Sequence, residues 1–316
     1  KRMSYEEFLE EVRAGIQKYL PDEYASNEAQ IVKRTLNNGG FYYGFFARRQ
    51  GSNTAPLLEL SSYYEKYMKG HNIEDMLREI AATYYEKDVH APVINVDDFR
   101  YENIKNKIFV EVCNAKKNQK ELENAPHEIR EDLAERYYVE YMMSEVEIGR
   151  IHIHNGHLQL WNISAETLKK QAWDNMKYVS NYKIMSMKEL ASEYLEMEYE
   201  EIKENASEIY MLSNENALSG AAYMFDDDVM QLIAKKLEDD LVIIPASINE
   251  VLIISKGSAE EQGTFSDLKR VVEDINRNCL SPEEFLSDEI YLYEKDTHQL
   301  AILDTNEQQL GMSMNM

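Results

Sequence analysis

Arg150-Ile151-His152-Ile153-His154-Asn155-Gly156-His157-Leu158-Gln159-Leu160-Trp161 is the stretch on which the reading of the fold turns. Asn155-Gly156 is a strong two-residue hairpin signal, because a type I′ turn needs positive φ at both central residues. A hairpin closing there pairs His154 with His157, Ile153 with Leu158, His152 with Gln159, Ile151 with Leu160 and Arg150 with Trp161. Alternation along the strands puts Ile151, Ile153, Leu158 and Leu160 on one face, toward a core. Arg150, His152, His154, His157, Gln159 and Trp161 share the other. That face gathers three of the seven histidines and one of the two tryptophans, the densest chemistry in the chain.

Downstream, Ser164 predicts a helix start, with Ile163 and Leu168 at the hydrophobic-staple positions and Leu168, Ala172 and Met176 as the buried stripe. Upstream, Ile108–Cys113 and Arg136–Met143 read as strands, and Pro126–Ala134 carries helix-start residues. The first unit reads α-β-β-β-α-α. Ser4 and Glu7 form a capping box ahead of Phe8, Val12 and Ile16. Gln30–Leu36 and Phe41–Arg48 flank an Asn38-Gly39-Gly40 turn. The helix over Glu74–Glu86 has Met76, Leu77, Ile80, Ala81 and Tyr84 on one stripe.

In the last third, Ile209–Leu212 and Ala221–Phe225 read as strands, and Asp226-Asp227-Asp228 opens a helix whose dipole favours carboxylates there. Leu241–Ile244 and Val251–Ile254 are continuous apolar runs, the pattern of a sheet centre covered on both faces. Thr264 with Asp267, and Ser281-Pro282-Glu283-Glu284, read as helix starts. Ile290–Tyr293 and Leu300–Leu303 form a closing hairpin. A β-β-α order recurs and suggests an internal duplication. The fold class is therefore α+β, with antiparallel sheets built from hairpins, interspersed helices, and two or three packed subdomains. The boundaries fall at 1–89, 90–185 with the histidine-rich hairpin, an acidic linking helix over 186–206, and 207–316, ending in a frayed tail from Gln308.

Composition narrows the function classes. The chain has 316 residues, 44% of them hydrophobic, as in globular proteins. Its 58 acidic residues against 34 basic give a formal charge of -24, which repels phosphate backbones and anionic membranes. Cys113 and Cys279 form no C-x-x-C pair, so neither a disulfide framework nor a cysteine-ligated zinc site is expected. No apolar run has membrane-spanning length. The expected compartment is the cytoplasm.

Two places carry candidate chemistry. His152, His154 and His157 put three imidazoles near one point, a donor set for a divalent metal; a solvated polar face is the alternative. On the same face Arg150 and Trp161 supply charge and a stacking surface for a ligand. The second place is the polar loop Pro245–Glu250 between two buried strands, where Ser247, Asn249 and Glu250 could hold a ligand. No phosphate-binding glycine loop, nucleophile elbow, H-E-x-x-H or EF-hand motif is present.

His154-Asn155-Gly156-His157-Leu158 with Trp161 and the Ser-capped helix, the Leu241–Ile254 segment with its Pro-Ala-Ser-Ile-Asn-Glu loop, and the opening Tyr5-Glu6-Glu7-Phe8-Leu9 helix together resemble an uncharacterised domain-of-unknown-function family of anaerobic Gram-positive gut bacteria. The resemblance runs from Tyr5 to about Leu303. Trp161–Ala172 is more distantly similar to a second uncharacterised family, in which a strand pair feeds such a helix. Neither resemblance implies an activity or a site residue. The expected function is a non-enzymatic binding or adaptor protein with a protein partner, no cofactor and no nucleic acid. The alternative is a metal-dependent hydrolase built on His152, His154 and His157.

Overall fold

Ser4 caps the first helix, α1 (Tyr5–Gly15), as the sequence predicts. Glu7 N–H donates to Ser4 Oγ at 3.2 Å, and Ser4 N–H donates to Glu7 Oε2 at 2.7 Å. Phe8, Val12 and Ile16 then bury completely. These coordinates come from a computed structural model that describes residues 2–24, 29–52, 54–91, 95–142, 148–190 and 208–305. The linking helix expected over 186–206 lies mostly outside the described residues, as does the tail from Gln308.

Strands β1 (Gln30–Thr35) and β2 (Phe41–Phe46) pair in antiparallel register, Gln30 opposite Phe46 through Thr35 opposite Phe41. Their turn uses Asn38 at φ 62° and Gly39 at φ 77°, the left-handed backbone that an Asn-Gly pair adopts most readily. β3 (Leu58–Glu59) completes this sheet, and α2 (Ser61–Met68) and α3 (Ile73–Val89) follow. The whole predicted stripe of α3, Met76 to Tyr84, is buried. Tyr84 Oη donates to Ala47 O at 2.6 Å and accepts from Ala47 N–H at 3.0 Å, tying helix to sheet. Asp88, 3% exposed, accepts from Tyr24 Oη at 2.5 Å and pairs with Arg49 Nε at 3.2 Å. These elements form one compact unit, Lys1–Arg100 with Met142–Gly149.

The second unit, Tyr101–Tyr141 with Arg150–Met316, holds most of two further antiparallel sheets. The first of these contains β4 (Ile108–Asn114), β5 (His127–Arg130), β6 (Leu133–Met142) and β7 (Ile148–His152). β6 lies between β4 and β5, and β7 also pairs with β6. β4 is buried along its whole length. After β7 come α4 (Asn155–Trp161) and α5 (Ala165–Tyr178). On α5, Asn175 Nδ2 donates to Ile108 O at 2.8 Å, and Leu168, Ala172 and Met176 are buried as predicted.

The second sheet has six strands in the order β13-β12-β10-β11-β9-β8. They are β8 (Tyr182–Ser186), β9 (Tyr210–Asn214), β10 (Leu241–Pro245), β11 (Val251–Ser255), β12 (Tyr291–Glu294) and β13 (Gln299–Ile302). α6 (Asp227–Leu237), α7 (Lys256–Glu261) and α8 (Phe265–Asn278) complete the unit. On one face Val242 and Ile254 pack with Phe265 and Val272 of α8. On the other, Gln231 of α6 reaches Tyr293 Oη at 2.9 Å. The continuous apolar runs of β10 and β11 are thus covered on both sides, as their pattern requires.

The α+β class holds, and several local readings do not. The central one concerns 150–161. No type I′ hairpin forms: β7 stops at His152, Asn155–Trp161 is helical, and Gly156 does not have positive φ. Leu160, assigned to a buried face, is 74% exposed. In so short a run the same residues fit a 3.6-residue period, with His157 and Trp161 one turn apart and stacked at 5.4 Å. The helix is closed at both ends. His157 Nδ1 accepts from His154 N–H at 2.9 Å, and Asn162 turns left-handed at φ 52°.

Ala221–Phe225, read as a strand, lies in the 3₁₀ segment Gly220–Phe225. The β-β-α repeat therefore loses a strand. Pro126–Ala134 forms β5 and the start of β6 rather than a helix. Ser281–Glu284 makes a turn rather than a helix, with Glu284 N–H on Ser281 O at 3.1 Å.

Candidate functional site

β7 carries Arg150 and His152 on one face, because side chains two apart on a strand point the same way. Both meet Glu111 of β4, which sits opposite Arg136 in the β4–β6 ladder and is 2% exposed. Glu111 Oε2 accepts from Arg136 Nε at 2.6 Å and lies 2.9 Å from His152 Nε2. Glu111 Oε1 accepts from Arg150 Nη1 at 2.9 Å and from Ser219 Oγ at 3.3 Å. Arg150 Nη1 also donates to Ser219 Oγ at 2.7 Å, and its guanidinium lies 5.2 Å from the Tyr138 ring centroid.

Ser219 is held from behind. Its backbone is left-handed at φ 56°, and its N–H donates to Asn249 Oδ1 at 3.0 Å. Asn249 O in turn accepts from Ser213 Oγ at 2.8 Å. The next residue must be glycine. A Cβ on Gly220 would lie 2.6 Å from Asn249 O and from Ser213 Cα, both backbone atoms.

The electrostatics follow from this packing. Burial alone would raise the Glu111 carboxyl, but Arg136, His152 and Arg150 more than offset it and hold it well below the ordinary carboxylate range. Such a carboxylate is a weak base, poorly matched to proton transfer near neutrality. Burial pushes the nearby Cys113 thiol up to about 11, so it stays protonated and unreactive. Both Glu111 oxygens are spent on Arg136, His152, Arg150 and Ser219. These bonds pin β4, β6, β7 and the turn before Gly220 into one body.

The residues singled out in sequence separate as follows. Arg150 and His152 join the Glu111 knot directly, and Asn249 joins it through Ser219. Ser247 Oγ donates to Glu250 Oε1 at 2.8 Å and accepts from Asn249 N–H at 3.0 Å, which closes the Pro245–Glu250 loop on itself. Trp161, 8% exposed, stacks between His157 and Tyr101, its centroids 5.4 and 6.2 Å from theirs. His154 and His157 sit together at the start of α4, and His152 turns to Glu111. Burial, and then His154, lower the His157 pKa. Among the described residues no group of three His, Cys, Asp or Glu is placed to hold a metal ion. The structure thus separates the three imidazoles that the hairpin would have gathered. Sequence reading missed Glu111, Arg136 and Ser219. The signal for Glu111 is a single charge inside the apolar run of β4, since a charge there needs a partner; Arg136, one of three charged residues in β6 with Glu135 and Glu140, carries a weaker one.

A different kind of surface lies at the end of the six-stranded sheet. Among the described residues no strand pairs with the outer side of β8. Met187 N–H donates to Ile209 O at 2.8 Å and Glu215 N–H to Asn181 O at 3.3 Å, so odd-numbered residues face β9. Antiparallel alternation then turns the N–H and C=O of Tyr182 and Ile184 outward. Between β8 and α6 runs a mainly apolar groove of about 280 Å³ whose lining includes Ile184, Tyr210, Leu232 and Leu237 together with Glu189 and Lys236. Leu232 is 52% exposed and Tyr182 40%.

A profile of a family of unknown function, DUF5688, matches residues 5–295. The chain belongs to that family. No curated protein and no solved structure matches it. No described helix is long and apolar enough to cross a membrane.

Proposed function

We propose that this member of DUF5688 is a non-enzymatic binding protein that adds an extended segment of a partner protein to the open edge of β8. The observation that carries this reading is the outward-facing backbone of Tyr182 and Ile184 beside an apolar groove. An edge that pairs with no strand among the described residues is a template for strand addition, in which main-chain hydrogen bonds give affinity and side-chain pockets give specificity. The formal charge of -24 favours a basic partner by long-range attraction. The partner strand carries an apolar side chain that fills the groove beside Leu232. Two cysteines that form no disulfide, Cys113 and Cys279, fit a reducing cytoplasm.

Peptide display against the full chain tests the proposal. Selected peptides are expected to be basic, with apolar residues at alternate positions, and to slow amide exchange at Tyr182 and Ile184. Leu232→Glu should weaken them by about tenfold or more, the scale of one misplaced charge in an apolar contact. Val271→Glu, on an equally exposed apolar residue of α8, should leave binding unchanged. Equal loss in both variants, or no selected binders, sinks the reading.

A further inference from the structure

A cavity of about 320 Å³ opens where the β5–β6 turn, the first turn of α6 and the β12–β13 turn meet. Three kinds of surface line it. The first is cationic. Arg130 lies 3.4 Å from Glu128 and 3.5 Å from Glu135, both longer than the roughly 2.7–2.9 Å of a tight charge-assisted bond. Its buried Nε makes no hydrogen bond. A guanidinium has five N–H donors, and most of these are uncommitted.

The second surface accepts hydrogen bonds. Glu131 borders the cavity and makes no ion pair among the described residues. His298 borders it too, with Nδ1 2.8 Å from Asp227 Oδ2. The other Asp227 oxygen accepts from Tyr293 Oη, which itself accepts from Gln231 Nε2 at 2.9 Å. A carboxylate only accepts, so His298 Nδ1 carries a proton, and Nε2 has no partner among the described residues; in the neutral tautomer it is an acceptor. The third surface is apolar, formed by Phe225, Ile129 and Leu300, with the buried Met224 and Met230 next to it. Both Glu131 and His298 are held in left-handed backbone, at φ 56° and 61°, by the turns that present them. Non-glycine residues held this way concentrate at ligand sites.

We propose that this cleft binds a free amino acid with an apolar side chain. Arg130 takes the carboxylate, Glu131 and His298 Nε2 take the ammonium, and Phe225, Ile129 and Leu300 take the side chain, with the two buried methionines close enough to report it. A simple carboxylic acid would leave Glu131 facing an anion, and a simple amine would leave the uncommitted N–H groups of Arg130 unused. A zwitterion satisfies both. The volume lies at the small end of ligand pockets, roughly 300–1,000 Å³, which suits one residue rather than a peptide. This site is separate from the β8 edge and stands whether or not that edge binds protein.

The test uses the full chain with ¹³C-methyl methionine, titrated with L-leucine, 4-methylpentanoate and 3-methylbutylamine. Leucine should move the Met224 and Met230 methyl signals saturably and leave methionines outside the cleft unmoved. Each half-ligand should bind at least about tenfold more weakly, the usual loss when a charged hydrogen-bonding group has no partner. Arg130→Gln and His298→Asn should each weaken leucine by a similar factor. Asparagine tolerates left-handed backbone, so the second variant keeps the turn. The proposal is overturned if leucine moves neither methionine signal, if all three compounds bind alike, or if His298→Asn binds leucine like the parent. If Arg130→Gln fails to fold, the half-ligands and His298→Asn still decide it.

Discussion

Glu111 and Asp227 are both carboxylates bound by a histidine, and they differ in what remains after pairing. Glu111 is 2% exposed, and its two oxygens accept from two guanidiniums, an imidazole and a hydroxyl. Both oxygens of that carboxylate are engaged. Asp227 has a side chain 53% exposed and orients a histidine whose second nitrogen is uncommitted, beside a loosely paired arginine and a cavity. Saturated polar groups fix a fold, and unsaturated ones beside a cavity can bind something. The two regions should therefore respond in opposite ways to the same kind of substitution.

The largest expected effect is on stability at the knot. Glu111→Ala leaves Arg136 buried and charged without its partner, which should cost about 3–5 kcal/mol in urea unfolding. Glu111→Leu combined with Arg136→Met should cost less than Glu111→Ala alone, because it removes the stranded charge. Asp227→Ala should cost less, about 1–2 kcal/mol, since it removes a half-exposed ion pair and the acceptor of the Tyr293 hydroxyl. Equal losses at Glu111 and Asp227 would break the comparison. Behind the knot, Gly220→Ala should cost about 1–3 kcal/mol, since a Cβ there meets backbone rather than a side chain that can move.

Acid should separate the regions next. The Glu111 pKa is depressed in the folded state, so its stabilisation is complete above about 4.5, its unperturbed value, and is lost as pH falls through the lower folded value. Glu135 runs the other way. Burial raises its pKa, ahead of the lowering by Arg130 and Lys169, and its Oε2 has no hydrogen-bond partner. Its contribution is full below about 4.5 and is lost as pH rises through the raised value. Urea midpoints below that pH should therefore fall less steeply for Glu111→Gln than for the parent, whereas Glu135→Gln should run parallel to the parent there and differ from it above about 4.5, where only the parent loses the Glu135 contribution. A Glu111→Gln curve parallel to the parent's below about 4.5 would show that the knot does not set the acid limit.

The same contrast explains how much could be read in the sequence. Elements set by local pattern were legible: the Ser4 box, the α3 stripe from Met76 to Tyr84, the β10–β11 pair and the closing hairpin. So was the fold class. Asn155-Gly156 misled because its turn preference is local, whereas the outcome depended on where the chain goes next. β7 ends early, Asn155 N–H donates to Asn124 O at 2.8 Å, and Trp161 finds its place against His157 and Tyr101. Arg150, His152 and Asn249 were singled out at two separate places, as metal or ligand candidates, and the structure links them in one network. Their common partners, Glu111 and Ser219, lie 39 and 69 residues from Arg150. No spacing rule reaches that far. The cleft at His298 was invisible for the same reason, since it is assembled from turns of two sheets.

The smallest expected effect concerns His298 itself. At φ 61° it occupies backbone that glycine adopts freely and other residues adopt at some cost, with histidine and asparagine among the more tolerant. His298→Gly removes that strain and also removes the bond to Asp227, which is half-exposed and worth little. The two changes oppose one another, so the net effect on stability should lie within about 1 kcal/mol. Recognition has no such compensation. If His298 is part of a binding site, His298→Gly keeps its melting behaviour and loses leucine binding by about tenfold or more. If the residue serves only the turn, leucine titration and thermal melts both leave the variant indistinguishable from the parent. Calorimetric melts beside the methionine titration separate the two outcomes, because strain acts on the first measurement and a lost acceptor on the second.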